Sequence, residues 1–230
     1  MKLKTLLLAV AANSFAAGVA SAAPAIYDFT GAGGNLGKTE IFTSGMSSIT
    51  AIAINTEEPP TAELDQSGLG LGVRLTRNDG GSIIPPVGPS ELDNVGDDEA
   101  IVFDAGMVVS FETLTLKDAS FFDDYEIYGT NNSAIASIVS GGLSAITSIS
   151  TLLAAGSGNG IGGTVTINLD PMLATFRYLV ATLPGGNGDG FRVSALTASE
   201  VPLPGALPFM ATALFGYAAA ARRRRSVEAV

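Results

Sequence analysis

Glu91, Asp93, Asn94, Asp97, Asp98, Glu99 and Asp104 fall within fourteen consecutive residues, and Asp118, Asp123 and Asp124 follow in a second acidic stretch. Hard carboxylate and amide oxygens at this density suit calcium, which takes about six to eight oxygens from side chains, backbone carbonyls and water. The candidate ligands are Glu91, Asp93, Asn94, Asp97, Asp98, Glu99, Asp123 and Asp124, in two loops that one end of a β domain would bring together. The spacing is not that of an EF-hand, because Asp93 to Glu99 lacks the twelve-residue pattern and its terminal glutamate. A solvated acidic turn is the alternative reading of the same residues.

Paired carboxylates also raise glycoside hydrolysis, which needs two Asp or Glu about 5 to 10 Å apart. Glu112, Glu126 and the loop carboxylates are the residues to consider. Against this, the chain has no tryptophan on which a sugar would stack, and no acid/base motif. It also has no cysteine and no histidine. Disulfides, thiol nucleophiles, Cys/His zinc sites and His-based triads are therefore excluded. No catalytic residue is assigned, the chain is read as no enzyme, and calcium is the only candidate cofactor. Gly68-Leu-Gly-Leu-Gly72 offers a glycine alternation, but no strand–turn–helix context or nearby lysine makes it a phosphate loop. It reads as a strand with closely approaching backbone.

Charge narrows the partners further. From Pro24 to Glu200 there are six Lys or Arg against twenty-one Asp or Glu, a net charge of −15. Such a polyanion repels phosphate backbones, so nucleic acid is excluded as a partner, whereas divalent cations and neutral or cationic matrix components fit.

The elements that must position the acidic loops read as short strands. Ile26–Phe29, Ile49–Ile54 and Gly68–Leu75 are β-rich runs, the first followed by a glycine-rich turn over Gly31–Gly37. Ile101–Phe103 and Val108–Leu116 read as consecutive strands separated by Asp104-Ala-Gly106, and Tyr125–Tyr128 follows. Ser133–Leu153 is poor in charge; its Ile135, Ile138 and Val139 have helical spacing, but the β-branched content and the Gly141-Gly142 break favour irregular strands. Val165, Ile167 and Leu169, then Phe176, Tyr178 and Val180, then Phe191, Val193 and Ala195 alternate with the period of half-buried strands. Pro184–Gly190 reads as the hairpin loop joining the last two. Eight to ten short strands with glycine-rich turns predict an all-β fold, a jelly-roll-like β-sandwich.

The two ends are addresses. Lys2, Lys4 and an apolar run to Val19 precede Ala20-Ser21-Ala22, the small-x-small pattern of signal peptidase, with the cut between Ala22 and Ala23. At the other end 21 uncharged residues separate Glu200 from Arg222. As a helix they would extend about 31 Å, just matching a hydrocarbon core of about 30 Å. Pro202, Pro204 and Pro208 keep the entry extended, and Arg222, Arg223, Arg224 and Arg225 hold the far side in the cytoplasm.

This tail resembles the VPLPA-CTERM variant of the PEP-CTERM sorting signals: Val201, Pro202, Leu203, Pro204 and Gly205, an Ala/Leu/Phe-rich span, then the arginines. Gly205 stands where the family usually has alanine, and Ser226–Val230 extend past the basic cluster. The resemblance covers about 30 residues. It implies an exported protein, tethered in the inner membrane until an exosortase-type transpeptidase processes it, then held at the cell surface or in an exopolysaccharide matrix. Expected domains are the signal peptide 1–22, a β-sandwich ectodomain 23–200, and the tail 201–230, with motif 201–205, a single transmembrane helix 206–221 and basic cluster 222–225. The leading function is structural, in a surface or biofilm matrix. The alternatives are a calcium-dependent carbohydrate-binding or adhesive module and, last, a glycan-active hydrolase.

Overall fold

The computed structural model describes residues 23–55, 62–75, 91–92, 99–120, 123–137, 142–160, 162–184 and 190–201. Residues 1–22 and 202–230, and with them the signal peptide and all of the sorting tail beyond Val201, lie outside the described residues. Within the described residues no helix is long and apolar enough to cross a membrane.

The organising element is β7 (Glu99–Lys117), whose two halves belong to two antiparallel layers. Its first half pairs with β4 (Ser47–Asn55) on one flank and β11 (Thr175–Thr182) on the other. β3 (Thr39–Ser44) then extends the layer beyond β4, while β8 (Asp124–Thr130) and β9 (Thr151–Ser157) extend it beyond β11. The second half of β7 pairs with β10 (Thr164–Asn168) and with β12 (Arg192–Glu200). Beyond β12 lie β1 (Ala25–Asp28) and β6 (Gly70–Leu75), then β5 (Ala62–Ser67) and β2 (Gly34–Gly37).

β7 changes layer at a wide bulge. From Tyr178 to Phe176 β11 advances two residues, while β7 runs from Asp104 to Val109. Gly106 adopts φ +73°, and its N–H donates to Asp104 Oδ1 at 2.7 Å. The Asp104-Ala-Gly106 signal read as a strand break is thus a bulge inside one strand, because a layer crossing needs sharp local bending without loss of pairing.

The inward faces meet in one apolar cluster. Ile49, Ala51, Ile101, Phe103, Ile127 and Leu179 come from the first layer, and Tyr27, Leu64, Leu71, Leu114, Leu116 and Leu196 from the second. Phe29 lies at its centre, stacked on Phe103 at 5.1 Å and edge-on to Phe42 at 4.9 Å. The first layer is also apolar on its outer face, where Ile52, Ile54, Val102, Tyr128, Tyr178 and Val180 are buried. A 3-10 turn (Ser133–Ser137) and α1 (Gly142–Ser148) supply Ile135 and Ile146 to cover it.

Four expectations are corrected here. Of the described residues between Ser133 and Leu153, Ser133–Ser137 and Gly142–Ser148 are helical rather than irregular strand, because a second apolar face on the sheet outweighs the β preference of their isoleucines. Gly31–Gly37 is only partly a turn, since Gly34–Gly37 forms β2. Gly68–Leu75 is not one strand: Gly68 and Leu69 make the turn of the β5–β6 hairpin. Finally, Pro184–Gly190 does not join a hairpin, because β11 and β12 lie in different layers on either side of β7.

Candidate functional site

The loops at one end of the sandwich gather the polar groups, and glycines let them approach. β7 ends at Lys117, and Asp118 turns the chain at φ +61°, the only non-glycine left-handed residue among those described. Asp123 is fully buried; its carboxylate accepts from the Ser120 N–H and, at 3.0 Å, from the Gly190 N–H, and its carbonyl accepts from the Gly158 N–H at 3.0 Å. A Cβ at Gly158 would lie 2.0 Å from the Ser120 carbonyl, so this crossing admits glycine alone. Leu92 and Phe191 exchange backbone hydrogen bonds of 2.8 and 3.1 Å, which holds Glu91 beside the start of β12.

Two groups here are electrostatically unusual. The Glu91 carboxyl is pushed up to about 7, first by burial, then by a side-chain hydrogen bond with Asp118 and the Asp118 charge, against the pull of Arg192. Near neutrality the Glu91 carboxyl can therefore donate a hydrogen bond as well as accept one. Arg192 has no exposed surface, and its Nε, Nη1 and Nη2 have no hydrogen-bond partner among the described residues. Burial pulls its pKa down, with Glu91, Asp65 and Asp118 working the other way through charge alone. A guanidinium carries five N–H donors in a rigid fork, so leaving them unmatched is costly.

The sequence-predicted ligands divide. Glu91 and Asp123 belong to this end. Glu99 is buried where β7 begins, its carbonyl accepting from Thr182 Oγ1 at 2.8 Å. Asp124, on β8, accepts from Ser157 Oγ. Asp93, Asn94, Asp97 and Asp98 lie outside the described residues. Among the described residues no three acidic side chains form a group able to hold a metal ion. Asp104 sits at the β7 bulge instead, gripped by Arg177 through bonds of 2.9 Å from both Nε and Nη2, with that guanidinium 4.8 Å over the Tyr178 ring.

Arg192 itself was missed. Its one sequence signal is a charged residue set between Phe191 and Val193 in a strand alternating apolar residues. The set can hydrogen-bond: a forked donor beside the Glu91 carboxyl, which near neutrality both donates and accepts.

No protein-family model matches the chain, and no curated protein matches it. Solved structures that resemble it include the family 32 carbohydrate-binding module of Clostridium perfringens NanJ in complex with galactose, at 16% identity and a TM-score of 0.34 over 65% of this chain and 93% of that one. A family 32 module of a Clostridium perfringens family 89 glycoside hydrolase, in complex with GalNAc-β-1,3-galactose, matches at 12% identity and a TM-score of 0.30, over 47% of this chain and 68% of that one. Two such modules of Clostridium perfringens ZmpB match at 12% identity and a TM-score of 0.30, over 49% of this chain and 27% of that one. The likeness is shallow.

Proposed function

We propose that this chain is an exported, membrane-tethered protein of the cell surface or exopolysaccharide matrix that acts by binding rather than by catalysis. In this reading a jelly-roll-like ectodomain over 23–200 precedes a single transmembrane helix over 206–221. Signal peptidase cuts after Ala22, and an exosortase-type transpeptidase acts at Val201–Gly205. The observation that carries the binding role is the buried Arg192 fork, whose Nε, Nη1 and Nη2 find no hydrogen-bond partner among the described residues, beside the Glu91 carboxyl that is pushed up to about 7. Neutral or acidic saccharides match it, since vicinal hydroxyls and carboxylates accept from a guanidinium fork and exchange hydrogen bonds with the Glu91 carboxyl. Calcium belongs to the same reading through the acidic loops, with Glu91 and Asp123 as the described contributors.

The test is a glycan array followed by calorimetry on the full chain in detergent. Binding that is lost in Arg192→Met and Glu91→Gln but kept in Asp104→Asn supports the role; no glycan bound by the folded wild type overturns it and leaves a passive matrix component. Mass spectrometry of the cell-surface form tests the processing, with a mature C-terminus near Pro204 expected and an intact Val230 terminus as the contrary result.

A further inference from the structure

From Ile127 to Leu169 the chain runs 43 residues without one charged side chain, inside a segment, Pro24 to Glu200, of net charge −15. The fold lays the helical part of this stretch over the outer face of the first layer and sets its two strands, β9 and β10, at one edge of each layer. β9, its exposed strand, is the last of the first layer, paired with β8 on one flank and with no strand on the other among the described residues. β10 closes the second layer in the same way, paired only with β7.

A terminal strand presents a row of N–H and C=O groups that another strand can satisfy, and proteins ordinarily blunt such edges with charge, bulges or brevity. The opposite edges of this sandwich are blunted so. β3 carries Glu40 and follows Lys38, and β2 has only four residues, with a register shift between Asn35 and Gly37 and glycines at φ +122° and +78°. β9 has a single irregularity, at Leu153; from Ala154 to Ser157 it is regular and small, and Leu152 is 50% exposed.

We infer that β9 is a self-association edge, on which a second copy of this chain adds its own β9 antiparallel about a two-fold axis near Ala155. Charge selects the partner. Two copies of a polyanion repel wherever their acidic surfaces face; the β9 edge itself is uncharged, and the nearest carboxylates, Asp124 and Glu126 opposite Ser157 and Ala155, stand one strand back from the junction, where distance reduces that cost. The residues Ala154, Ala155, Gly156 and Ser157 let two backbones reach the ~4.8 Å spacing of paired strands without steric conflict. This inference does not depend on the proposed ligand.

Sedimentation equilibrium on the full chain in density-matched detergent tests it, using wild type, Leu152→Lys/Ala155→Lys and, on the blunted edge, Ile41→Lys. Wild type should show a concentration-dependent dimer, the double variant should associate at least ~100-fold more weakly through like charges meeting across the axis, and Ile41→Lys should match wild type. Hydrogen exchange on wild type provides a check that needs no variant: β9 amides should gain protection as concentration rises. A wild type that stays monomeric at hundreds of micromolar, a double variant that dimerises as wild type does, or β9 exchange independent of concentration would overturn the inference.

Discussion

Asp104 and Arg192 show how one residue's surroundings decide what its charge does. For Asp104, burial alone would raise the pKa, but the Arg177 hydrogen bonds, the Gly106 N–H and the Arg177 charge together hold it below the ordinary carboxylate value. The unfolded chain therefore binds the proton more readily than the folded one. Stability from this pair is fully present above the unfolded value of about 4 and is lost as pH falls through the lower folded value. Asp104→Asn should lower the melting temperature near pH 6 and should converge with wild type near pH 2; a constant gap across that range would contradict the assignment. Arg192 is the reverse case. Its lowered pKa means that the fold disfavours the cation despite Glu91, Asp65 and Asp118. Arg192→Met should leave stability between unchanged and about 2 kcal/mol higher, because it removes three buried nitrogens that no described group satisfies. A loss of several kcal/mol in urea titration would instead make Arg192 a structural counter-charge. Composition alone excluded His- and Cys-based chemistry, but it could not show that Asp104 leaves the acidic cluster for Arg177, a residue 73 positions away.

At the scale of elements, close approach and coverage do what sequence alternation alone does not reveal. Gly70 adopts φ +136°, and a Cβ there would lie 2.3 Å from the Val193 carbonyl, at the joint between β6 and β12. Gly70→Ala should cost roughly 2–4 kcal/mol, whereas Gly45→Ala, at φ +61° in open space, should cost only about 1 kcal/mol for its backbone conformation. Equal costs in chemical denaturation would show that the joint yields. Ile146, on the inner side of α1, is 2% exposed, and Ile146→Ala should cost about 2–4 kcal/mol by uncovering the outer face of the first layer. The alternating strands were legible because burial on one face imposes a period of two. Bulges hid the rest: in β11 the register shift places Phe176 against the main core but Tyr178 and Val180 in the outer cluster, although all three share one parity in the sequence.

For the whole molecule, charge sets the conditions under which the segment from Pro24 to Glu200 is stable. A net −15 between Pro24 and Glu200 makes the compact state repel itself, so any cation that binds it stabilises it by mass action. Millimolar calcium should raise the melting temperature beyond sodium chloride at matched ionic strength, and EGTA should reverse it. Equal effects of the two salts would reduce calcium to screening and remove it from the proposed function. The amino-acid sequence by itself determined the all-β class, the acidic character, the exclusion of the familiar catalytic groups, and the export and sorting expectations at the termini. These follow from local composition and period, which need no partner segment to be read. The tertiary structure decided that β7 serves two layers, that helices cover an outer apolar face, and that Glu91, Asp118, Asp123 and Arg192 meet at one end. Such meetings depend on which strands pair and where a bulge shifts a face, and register is set by packing between segments far apart in the chain.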